Sequence, residues 1–458
     1  AKGAPVAKTV NLVILGASGD LTHRLLLPGL GTLLKAQPKR RVRLIGAATD
    51  GLTAEQWRQR VSDALSDSGC GAKAARRLVS GTRYVGMDCT DPAQLQALLA
   101  DLSEPVVLYF ALPPAVSMRA CEALATFPLP DGLSLAIEKP FGTDLASARR
   151  FNELLARLVP EDRVFRVDHF LGKSTVLNLL GLRFSNRFFE PVWNRENVER
   201  IEIIADEKLA LEGRSGYYDH AGALKDMIQS HLLLVMALLC MEAPNRIEAR
   251  ELRDLQAHVL RATRLWDDDP VAASRRARYV AGTLDDREIP DYVNEPGVDA
   301  ARGTETLAEV TVEIRNARWH GVPIRLRSGK ALGDGFRGII GVFKPAWQPL
   351  GFHNLGDPNV VVIGMADEVL QLKLNTNGAM DKLDLEETVL TADLGMSPVR
   401  PYGEILAHIM DGDPLLSVRN DVAEDCWRIL GPVLDAWRDD AVPLDSYRAG
   451  STGPTTWS

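Results

Sequence analysis

The chain lacks the residue patterns that mark disulfide-bonded, zinc-binding and P-loop proteins. Its five cysteines are scattered without a Cys-x-x-Cys pair, which is typical of reduced cysteines in a cytosolic protein. Its eight histidines show no metal-ligand spacing, so we expect no bound metal. The sequence also contains neither a P-loop nor a Gly-x-Ser-x-Gly nucleophile elbow.

A membrane-length apolar run and an excess of positive charge are also missing. The longest apolar run, residues 232–241, is about half a membrane span and is expected to form a buried helix. A net charge of −8 argues against nucleic acid and membranes as partners. An anionic substrate must therefore be attracted by a local cluster of basic residues. Because no targeting segment is convincing, we expect a cytoplasmic location.

The order of predicted strands and helices indicates two domains. A length of 458 residues is too great for one hydrophobic core. Up to about residue 165, short apolar strands alternate with helices, which is typical of a Rossmann-type, doubly wound parallel sheet. Later strands mostly follow one another directly, which predicts an α+β region with a large, mainly antiparallel sheet. We predict domains over residues 1–170 and 171–458, and a helix at 269–279 in the second.

A glycine turn, Gly16-Ala-Ser-Gly19-Asp20, joins the first predicted strand to a helix. At this place in an alternating domain, a dinucleotide pyrophosphate meets backbone N–H groups and the positive end of the helix dipole. Gly16 permits the tight turn and Gly19 the close approach of a ligand. Glycine turns after strands are common, and the pattern is not a complete Gly-x-Gly-x-x-Gly. Its position as the first strand-to-helix turn favours cofactor binding.

Two short charged motifs lie further along the chain. Lys139, in the string EKPFG, follows a predicted strand at the end where ligands bind in α/β proteins. Asp168, His169 and Lys173 fall within six residues of the string FRVDHFLGK. They place a carboxylate, an imidazole and an ammonium side by side, which suits binding of an anionic substrate beside a base. Taken alone, both motifs are also compatible with solvated loops.

A long predicted helix carries Asp226 and His231, five residues apart. On an α-helix this spacing corresponds to about 140° of rotation, so the two side chains would flank a pocket only from its edge. The apolar residues after His231 predict that its ring is partly buried, and a hydrogen-bonded core histidine is the alternative. Lys330, in the string IRLRSGKAL, ends a predicted strand and by itself indicates only a turn.

Together these motifs resemble the glucose-6-phosphate dehydrogenase family, in family order and over nearly the whole chain. The matching strings are GASGDL (16–21), FALPPAVS (110–117), IEKPFG (137–142), RVDHFLGK (166–173), LNLLGLRFSN (177–186), PVWNRENV (191–198), EGRSGYYDHAGALKDMIQSHLL (212–233), VPIRLRSGKAL (322–332) and YGEILAHIMDGDPLLSVRND (402–421). The resemblance implies a Rossmann domain and a β+α domain for substrate binding and oligomerisation, whose large sheet forms a dimer interface. It also implies oxidation of a sugar phosphate at C1 to its lactone, with a nicotinamide cofactor accepting the hydride.

The resemblance also implies roles for matching residues. His231 corresponds to the general base that removes the C1 hydroxyl proton, and Asp168 to the carboxylate that orients this imidazole. His169 and Lys173 correspond to the pair that binds the phosphate. The residues implied to hold the sugar hydroxyls are Lys139, Glu207, Asp226 and Lys330. The residues implied to bind the cofactor are Gly16, Ser18, Gly19, Asp20 and, again, Lys139.

Some substrate-site positions depart from the family pattern. Leu25 stands where the family usually has a lysine that reaches the active site. Phe170 and Ser174 replace a common tyrosine and a common glutamate. The loop after the string GKAL lacks the usual basic pair, which leaves Arg337 as a substitute. These changes lie at implied substrate-site positions, so they motivate a different sugar phosphate as an alternative substrate for the same reaction.

The cofactor site departs from the family pattern as well. Thr49 aligns with an arginine that often pairs with the 2′-phosphate of NADP, and Asp50 follows it. A carboxylate at this position would repel a 2′-phosphate and would bond the 2′-hydroxyl of NAD. We therefore add Thr49 and Asp50 to the predicted cofactor-binding residues and expect a preference for NAD, although the resemblance allows NADP.

Three functions are consistent with these residues. The first is an NAD(P)-dependent dehydrogenase that oxidises glucose 6-phosphate to 6-phosphogluconolactone in the oxidative pentose phosphate pathway. The second performs the same C1 oxidation on another hexose phosphate, a pentose phosphate or a nucleotide-like sugar, and is motivated by Leu25 and Ser174. The third is a non-catalytic paralogue that senses NAD(P) or stabilises an active partner. The resemblance alone implies a homodimer or homotetramer.

Overall fold

The computed structural model describes residues 9–102 and 105–457. This part of the chain divides into two compact units. The first unit contains the chain up to Ser174 and two later segments, Pro244–Asp254 and Ser397–Glu424. The second unit contains the remaining residues. The predicted division into residues 1–170 and 171–458 would assign these two later segments to the second domain. The predicted domain boundary stays a prediction.

Strands and helices alternate up to Ser174, as the sequence predicts. The strands are β1 (Val10–Leu15), β2 (Val42–Ala48), β3 (Arg83–Gly86), β4 (Val106–Phe110), β5 (Leu133–Glu138) and β6 (Val164–Val167). The helices are α1 (Leu27–Ala36), α2 (Ala54–Asp67), α3 (Ala72–Gly81), α4 (Pro92–Ala100), α5 (Pro114–Leu124) and α6 (Leu145–Leu158). One π-helical turn, Thr22–Leu26, precedes α1.

The later helices and strands occur in a different order. The helices are α7 (Ser174–Phe184), α8 (Ser215–Ala223), α9 (Leu233–Cys240), α10 (Ala249–Ala262), α11 (Pro401–Asp411) and α12 (Asn420–Arg438). The strands are β7 (Val198–Asp206), β8 (Thr263–Leu265), β9 (Ser274–Val280), β10 (Gly282–Leu284), β11 (Arg287–Ile289), β12 (Leu307–Ile314), β13 (Ile324–Gly329), β14 (Arg337–Phe343), β15 (Val360–Gly364), β16 (Val369–Asn377), β17 (Leu385–Asp393), β18 (Ser417–Val418) and β19 (Leu444–Arg448).

The first unit is built on a doubly wound sheet, which confirms the predicted fold class. In the described part of the chain, the strand order is β18-β6-β5-β4-β1-β2-β3. The strands pair in parallel, except that β18 runs antiparallel to β6. The residues of β1 are all buried, as expected for a central parallel strand covered on both faces. The strand order changes direction between β1 and β4, where α/β sheets bind ligands at their carboxyl edge.

The second unit contains the large, mainly antiparallel sheet that the sequence predicts. In the described residues its order is β17-β16-β15-β14-β7-β13-β12-β9-β19, with β8 also paired to β12. The pairs β7–β13 and β9–β19 are parallel. The helix predicted at 269–279 is wrong, because most of this segment forms β9. Its alanine and arginine residues favour a helix locally, but pairing with β12 and β19 satisfies the backbone and overrides that preference.

The stretch Ser215–Cys240 is the main apolar helical stretch of the second unit. By length and composition it is the one helix in the described part of the chain that could cross a membrane, yet 83% of its apolar window is buried. A core helix has the same composition, and the burial confirms the buried helix predicted for residues 232–241. The stretch is not regular: Gly222 has φ of +68°, and residues Leu224–Leu232 are π-helical.

Candidate active site

The glycine turn lies at the carboxyl end of β1, at the change of strand order in the first sheet. Gly16 has φ of +82°, and a Cβ atom on it would lie 2.1 Å from the carbonyl oxygen of Ala111. Because this obstacle is backbone rather than a flexible side chain, only glycine fits there. The N–H groups of Gly16 and Ala17 donate to the carbonyl oxygen of Ala47 at 2.8 and 3.1 Å, which attaches the turn to β2.

The rest of the turn forms an open backbone cradle. Gly19 and Asp20 are exposed, and Ser18 is half-buried. A Cβ atom on Gly19 would project into the space above the turn and meet the Gly16 carbonyl oxygen at 3.3 Å. The Thr22 hydroxyl donates to that same oxygen at 3.2 Å and so fixes the turn from the helix side. A glycine-rich turn followed by a helix start suits a pyrophosphate, so these residues fit the pyrophosphate of a dinucleotide cofactor.

Thr49 and Asp50 follow β2 and are both exposed. The Tyr84 hydroxyl donates to the backbone oxygen of Asp50 at 2.7 Å, and the Leu52 N–H donates to the same oxygen at 2.9 Å. These two bonds hold Asp50 at the carboxyl edge of the sheet, next to the strand that carries the glycine turn. Thr49 and Asp50 therefore lie on the side of the turn where the adenosine ribose of a dinucleotide is expected.

Lys139 directly follows β5, and the Lys139–Pro140 peptide bond is cis. Glu138, the preceding residue, accepts a hydrogen bond from the Tyr109 hydroxyl at 2.5 Å and another from the Tyr402 hydroxyl. Burial raises the pKa of the Glu138 carboxyl to about 7, although both hydroxyls and the charge of Lys139 act in the opposite direction. This buried network fixes the strand end from which the Lys139 side chain projects.

Asp168, His169 and Lys173 follow β6, the strand beside β5. Asp168 is buried, and its carboxylate accepts a hydrogen bond from the Phe170 N–H at 3.0 Å. The ammonium of Lys173 lies 3.7 Å from the centroid of the Phe170 ring, so the residue that replaces the family's tyrosine makes a cation–π contact. The ring of His169 stacks on Tyr402 with centroids 5.8 Å apart. The two charged motifs of the sequence thus follow neighbouring strands of one sheet.

In the second unit, Glu207 and Lys330 follow two neighbouring parallel strands, β7 and β13. The parallel register places both residues at the same edge of the sheet. The Lys330 ammonium lies 2.6 Å from one Glu207 carboxylate oxygen, and the Arg337 guanidinium lies 2.9 Å from the other. One carboxylate is therefore shared by two cations. The cluster keeps a net positive charge, which suits a hydroxyl-rich anionic ligand.

The π-helical geometry brings Asp226 and His231 to one face of their segment. A π-helix bonds each N–H to the carbonyl five residues earlier, so residues five apart lie about one turn apart. The α-helical estimate of about 140° between them is therefore wrong. Asp226 is half-buried and accepts a hydrogen bond from the Tyr217 hydroxyl at 3.1 Å. His231 is only 1% exposed, which agrees with the predicted burial of its ring.

A buried tyrosine, Tyr218, lies near the Lys330–Glu207 ion pair and is affected by the charge of Asp226. The Lys330 ammonium lies 5.0 Å from the centroid of its ring. Burial raises the pKa of the Tyr218 hydroxyl well above its ordinary value, and the negative charges of Asp226, Glu305 and Glu207 raise it further. The Tyr218 hydroxyl therefore stays protonated near neutral pH. Sequence reasoning missed Tyr218 and Tyr402, although both lie inside the matching strings, because neither is charged.

Glu305 supports the start of the π-helical segment. Its carboxylate accepts a hydrogen bond from the Leu224 N–H at 3.0 Å, and its backbone oxygen accepts one from the Ala223 N–H at 3.3 Å. These bonds satisfy two N–H groups that a buried helix start would otherwise leave unpaired. A Cβ atom on Gly222 would lie 2.3 Å from the Glu305 carboxylate, so the glycine makes room for this cap. No sequence signal near the helix identifies Glu305.

Replacing Glu305 with glutamine is expected to reduce the dependence of stability on pH. Burial raises the pKa of this carboxyl from 4.5 to about 7. A raised folded-state pKa means that the native state binds the proton more tightly, so stability falls as pH rises from 4.5 to about 7. Glutamine still accepts the Leu224 N–H but carries no charge. Urea midpoints at about pH 5 and about pH 8 should therefore differ less in Glu305→Gln than in the wild type.

The Glu305→Ala variant is the control for the hydrogen bond itself. It leaves the Leu224 N–H without its acceptor and should be destabilised by about 1–3 kcal/mol at both pH values. An undiminished pH slope in Glu305→Gln would contradict the assigned pKa.

The sequence is related to known proteins over nearly its whole length. Residues 13–178 match the family model described as glucose-6-phosphate dehydrogenase, NAD binding domain, and residues 180–458 match the model of the C-terminal domain. The chain belongs to the glucose-6-phosphate dehydrogenase family. It is an NAD(P)-dependent oxidoreductase with a NAD binding domain, which confirms the resemblance on which the implied roles rest.

Individual relatives agree with this membership. The chain is 36% identical to glucose-6-phosphate 1-dehydrogenase of Gluconobacter oxydans, with 96% of this chain and 94% of the relative covered. It is also 36% identical to the enzyme of Treponema pallidum, over 97% and 92% of the two chains. The crystal structure of the Mycobacterium avium enzyme is similar, with a TM-score of 0.85 at 32% identity, covering 97% and 95% of the chains. A structure of a glucose-6-phosphate dehydrogenase in complex with glucose 6-phosphate has a TM-score of 0.86 at 29% identity, covering 98% and 96%.

Proposed function

We propose that the chain oxidises glucose 6-phosphate at C1 to 6-phosphogluconolactone, with NAD or NADP as hydride acceptor. The observation that carries this proposal is the second unit's cluster, in which Glu207 pairs with both Lys330 and Arg337 and the Lys330 ammonium lies near the ring of Tyr218. Such a set of cations and carboxylates suits a sugar with several hydroxyl groups. The curated relatives are named as dehydrogenases of this sugar phosphate.

His231 is proposed as the general base. Its imidazole is buried on the π-helical segment, where few solvent molecules compete for a proton. It would take the proton from the C1 hydroxyl while the C1–H bond breaks, so that the C1–O bond becomes a carbonyl. The nicotinamide cofactor, when bound, accepts the hydride from C1. Asp168 is proposed to orient the imidazole and to stabilise its cation, and this pairing rests on the family resemblance.

His169 and Lys173 are proposed to bind the phosphate of the substrate. Stacking on Tyr402 limits the orientation of the His169 ring. The cation–π contact with the Phe170 ring limits the position of the Lys173 ammonium. An imidazole and an ammonium that are held in place lose less side-chain entropy when they bind a phosphate dianion. Lys139 is proposed to contact both sugar and cofactor, because it projects from the carboxyl edge of the sheet that carries the glycine turn.

The residues after β2 are proposed to favour NAD. Replacing Asp50 with arginine together with Thr49→Ser should increase the NADP/NAD ratio of kcat/KM, because an arginine pairs with the 2′-phosphate and the repelling carboxylate is removed. The expected change is roughly tenfold or more. Steady-state kinetics with each cofactor measure it. An unchanged ratio would place Asp50 away from the adenosine ribose.

The assembly is proposed to be a homodimer or homotetramer in the cytoplasm. The large sheet ends at β17, where Val389 and Leu390 are exposed, and Leu374 on the neighbouring strand β16 is exposed as well. Exposed apolar residues on an edge of a sheet are typical of surfaces that a second copy covers. Sedimentation of the purified protein at two concentrations tests this, and a monomer at both would contradict it.

A second candidate is the same oxidation of another sugar phosphate. It is favoured by Leu25, which is 44% exposed where the family carries a lysine. A panel of hexose and pentose phosphates, assayed by reduction of the cofactor, separates the two. The highest kcat/KM with glucose 6-phosphate supports the first proposal. A higher value with any other phosphate replaces it with the second.

A further inference from the structure

The position of Arg60 bears on the choice between NAD and NADP, and sequence reasoning did not identify it. Helix α2 starts with a capping box, in which the Thr53 hydroxyl and the Gln56 N–H are paired, and it is anchored by the buried residues Trp57 and Val61. Between these anchors, Arg60 is half-buried and its guanidinium donates to the carbonyl oxygen of Ser18 at 3.3 Å. A cation from a neighbouring helix thus reaches the middle of the glycine turn.

Arg60 also lies near the residues after β2. Burial raises the pKa of the Tyr84 hydroxyl, the charge of Asp50 raises it further, and the charge of Arg60 lowers it. Tyr84 donates its hydroxyl proton to the backbone of Asp50 at 2.7 Å. The guanidinium and the Asp50 carboxylate therefore act on the same hydroxyl, at the edge where β1, β2 and β3 end. A cation and a carboxylate therefore both lie at the part of the sheet edge where the adenosine ribose is expected.

The guanidinium has capacity left for a ligand. Among residues 9–102 and 105–457, no carboxylate forms an ion pair with Arg60, and its one hydrogen bond is to the Ser18 oxygen. A guanidinium carries five N–H donors in a planar fork, which matches two oxygens of a phosphate. A hydroxyl group, by contrast, offers a guanidinium only a neutral and weaker partner.

We infer that Arg60 is a specificity-determining residue that binds the 2′-phosphate of NADP and so offsets the repulsion by Asp50. The inference rests on the proposal that the Gly16–Asp20 turn binds the dinucleotide. It assigns opposite preferences to two neighbouring side chains, Arg60 for NADP and Asp50 for NAD. The chain then accepts both cofactors, even though Thr49 stands where the family often has an arginine.

Calorimetric titration of Arg60→Ala with NADP+, NAD+ and 2′,5′-ADP tests the inference without an activity assay. The affinity for NADP+ and for 2′,5′-ADP should fall roughly ten- to a hundredfold, as expected for a lost hydrogen bond to a charged group. The affinity for NAD+ should stay within about twofold. Arg58→Ala, an exposed arginine on the same helix, is the matched control and should change none of the three. Arg60→Lys should bind NADP+ with intermediate affinity, because it keeps the charge but not the fork.

The outcomes distinguish this inference from the proposed function. An equal loss of affinity for NAD+ and NADP+ in Arg60→Ala would overturn the inference. Arg60 would then contact a group that both cofactors have, and not the 2′-phosphate. Unchanged affinities would overturn it too. A wild-type protein that binds neither dinucleotide would instead overturn the assignment of the glycine turn. Thermal unfolding of each variant confirms that it is folded at the titration temperature.

Discussion

Replacing His231 with asparagine is expected to lower kcat by about 10²–10⁴-fold, the range typical for loss of a general base. The KM for glucose 6-phosphate should change little, because asparagine keeps a polar, hydrogen-bonding side chain and the base acts mainly in the transition state. The imidazole is buried on the same face as Asp226, so bulk water cannot easily take over its role. Steady-state kinetics with saturating cofactor measure both constants.

His220→Asn is the matched control for this substitution. His220 lies on α8, in the same helical stretch, but is exposed to solvent. Its replacement should leave kcat unchanged. Undiminished turnover in His231→Asn would rule out the base assignment. A parallel loss in both variants would point to a general effect on the helix instead.

Replacing Gly16 with alanine is expected to weaken dinucleotide binding at least tenfold, roughly the effect of 1.4 kcal/mol. The added Cβ atom would lie 2.1 Å from the backbone oxygen of Ala111, and φ of +82° disfavours any residue with a side chain. The turn must move, and both the hydrogen bonds to Ala47 and the cradle would be lost. Stability should also fall by about 1–3 kcal/mol. Calorimetric titration and urea unfolding measure the two effects.

Gly81→Ala is the control variant for Gly16→Ala, because it also replaces a glycine with alanine but at a position without a close obstacle. Gly81 ends α3 in the same unit, and a Cβ atom placed on it meets no described atom within 4 Å apart from its chain neighbours and the backbone of its own helix. This variant should bind the dinucleotide as the wild type does. Wild-type affinity in Gly16→Ala would show that the turn does not hold the cofactor.

The features set by local sequence were the most predictable. Strands such as β1 are buried on both faces and therefore consist of short apolar runs bounded by glycine, which identifies them without other information. The charged motifs around Lys139 and Asp168 follow neighbouring strands because the alternating pattern fixes a parallel sheet. The fold class and the grouping of these residues within the first unit could therefore be predicted.

The features set by distant contacts could not be predicted. Strand β9 has a helix-like composition, and its extended form depends on pairing with β12 and β19. The π-helical segment that carries Asp226 and His231 starts at a cap supplied by Glu305, which is 81 residues from Leu224 in the chain. Arg60 reaches the glycine turn across 42 residues. Each of these contacts depends on the packing of separate elements, for which a single sequence provides no periodic signal.

Glucose 6-phosphate labelled with deuterium at C1 shows whether the hydride comes from this carbon. The wild-type protein is incubated with this substrate and NAD+ or NADP+, and the reduced cofactor is analysed by mass spectrometry. We expect to find the deuterium in the reduced nicotinamide and an equal amount of 6-phosphogluconolactone. Reduced cofactor without deuterium, or no reduction of either cofactor, would contradict hydride transfer from C1.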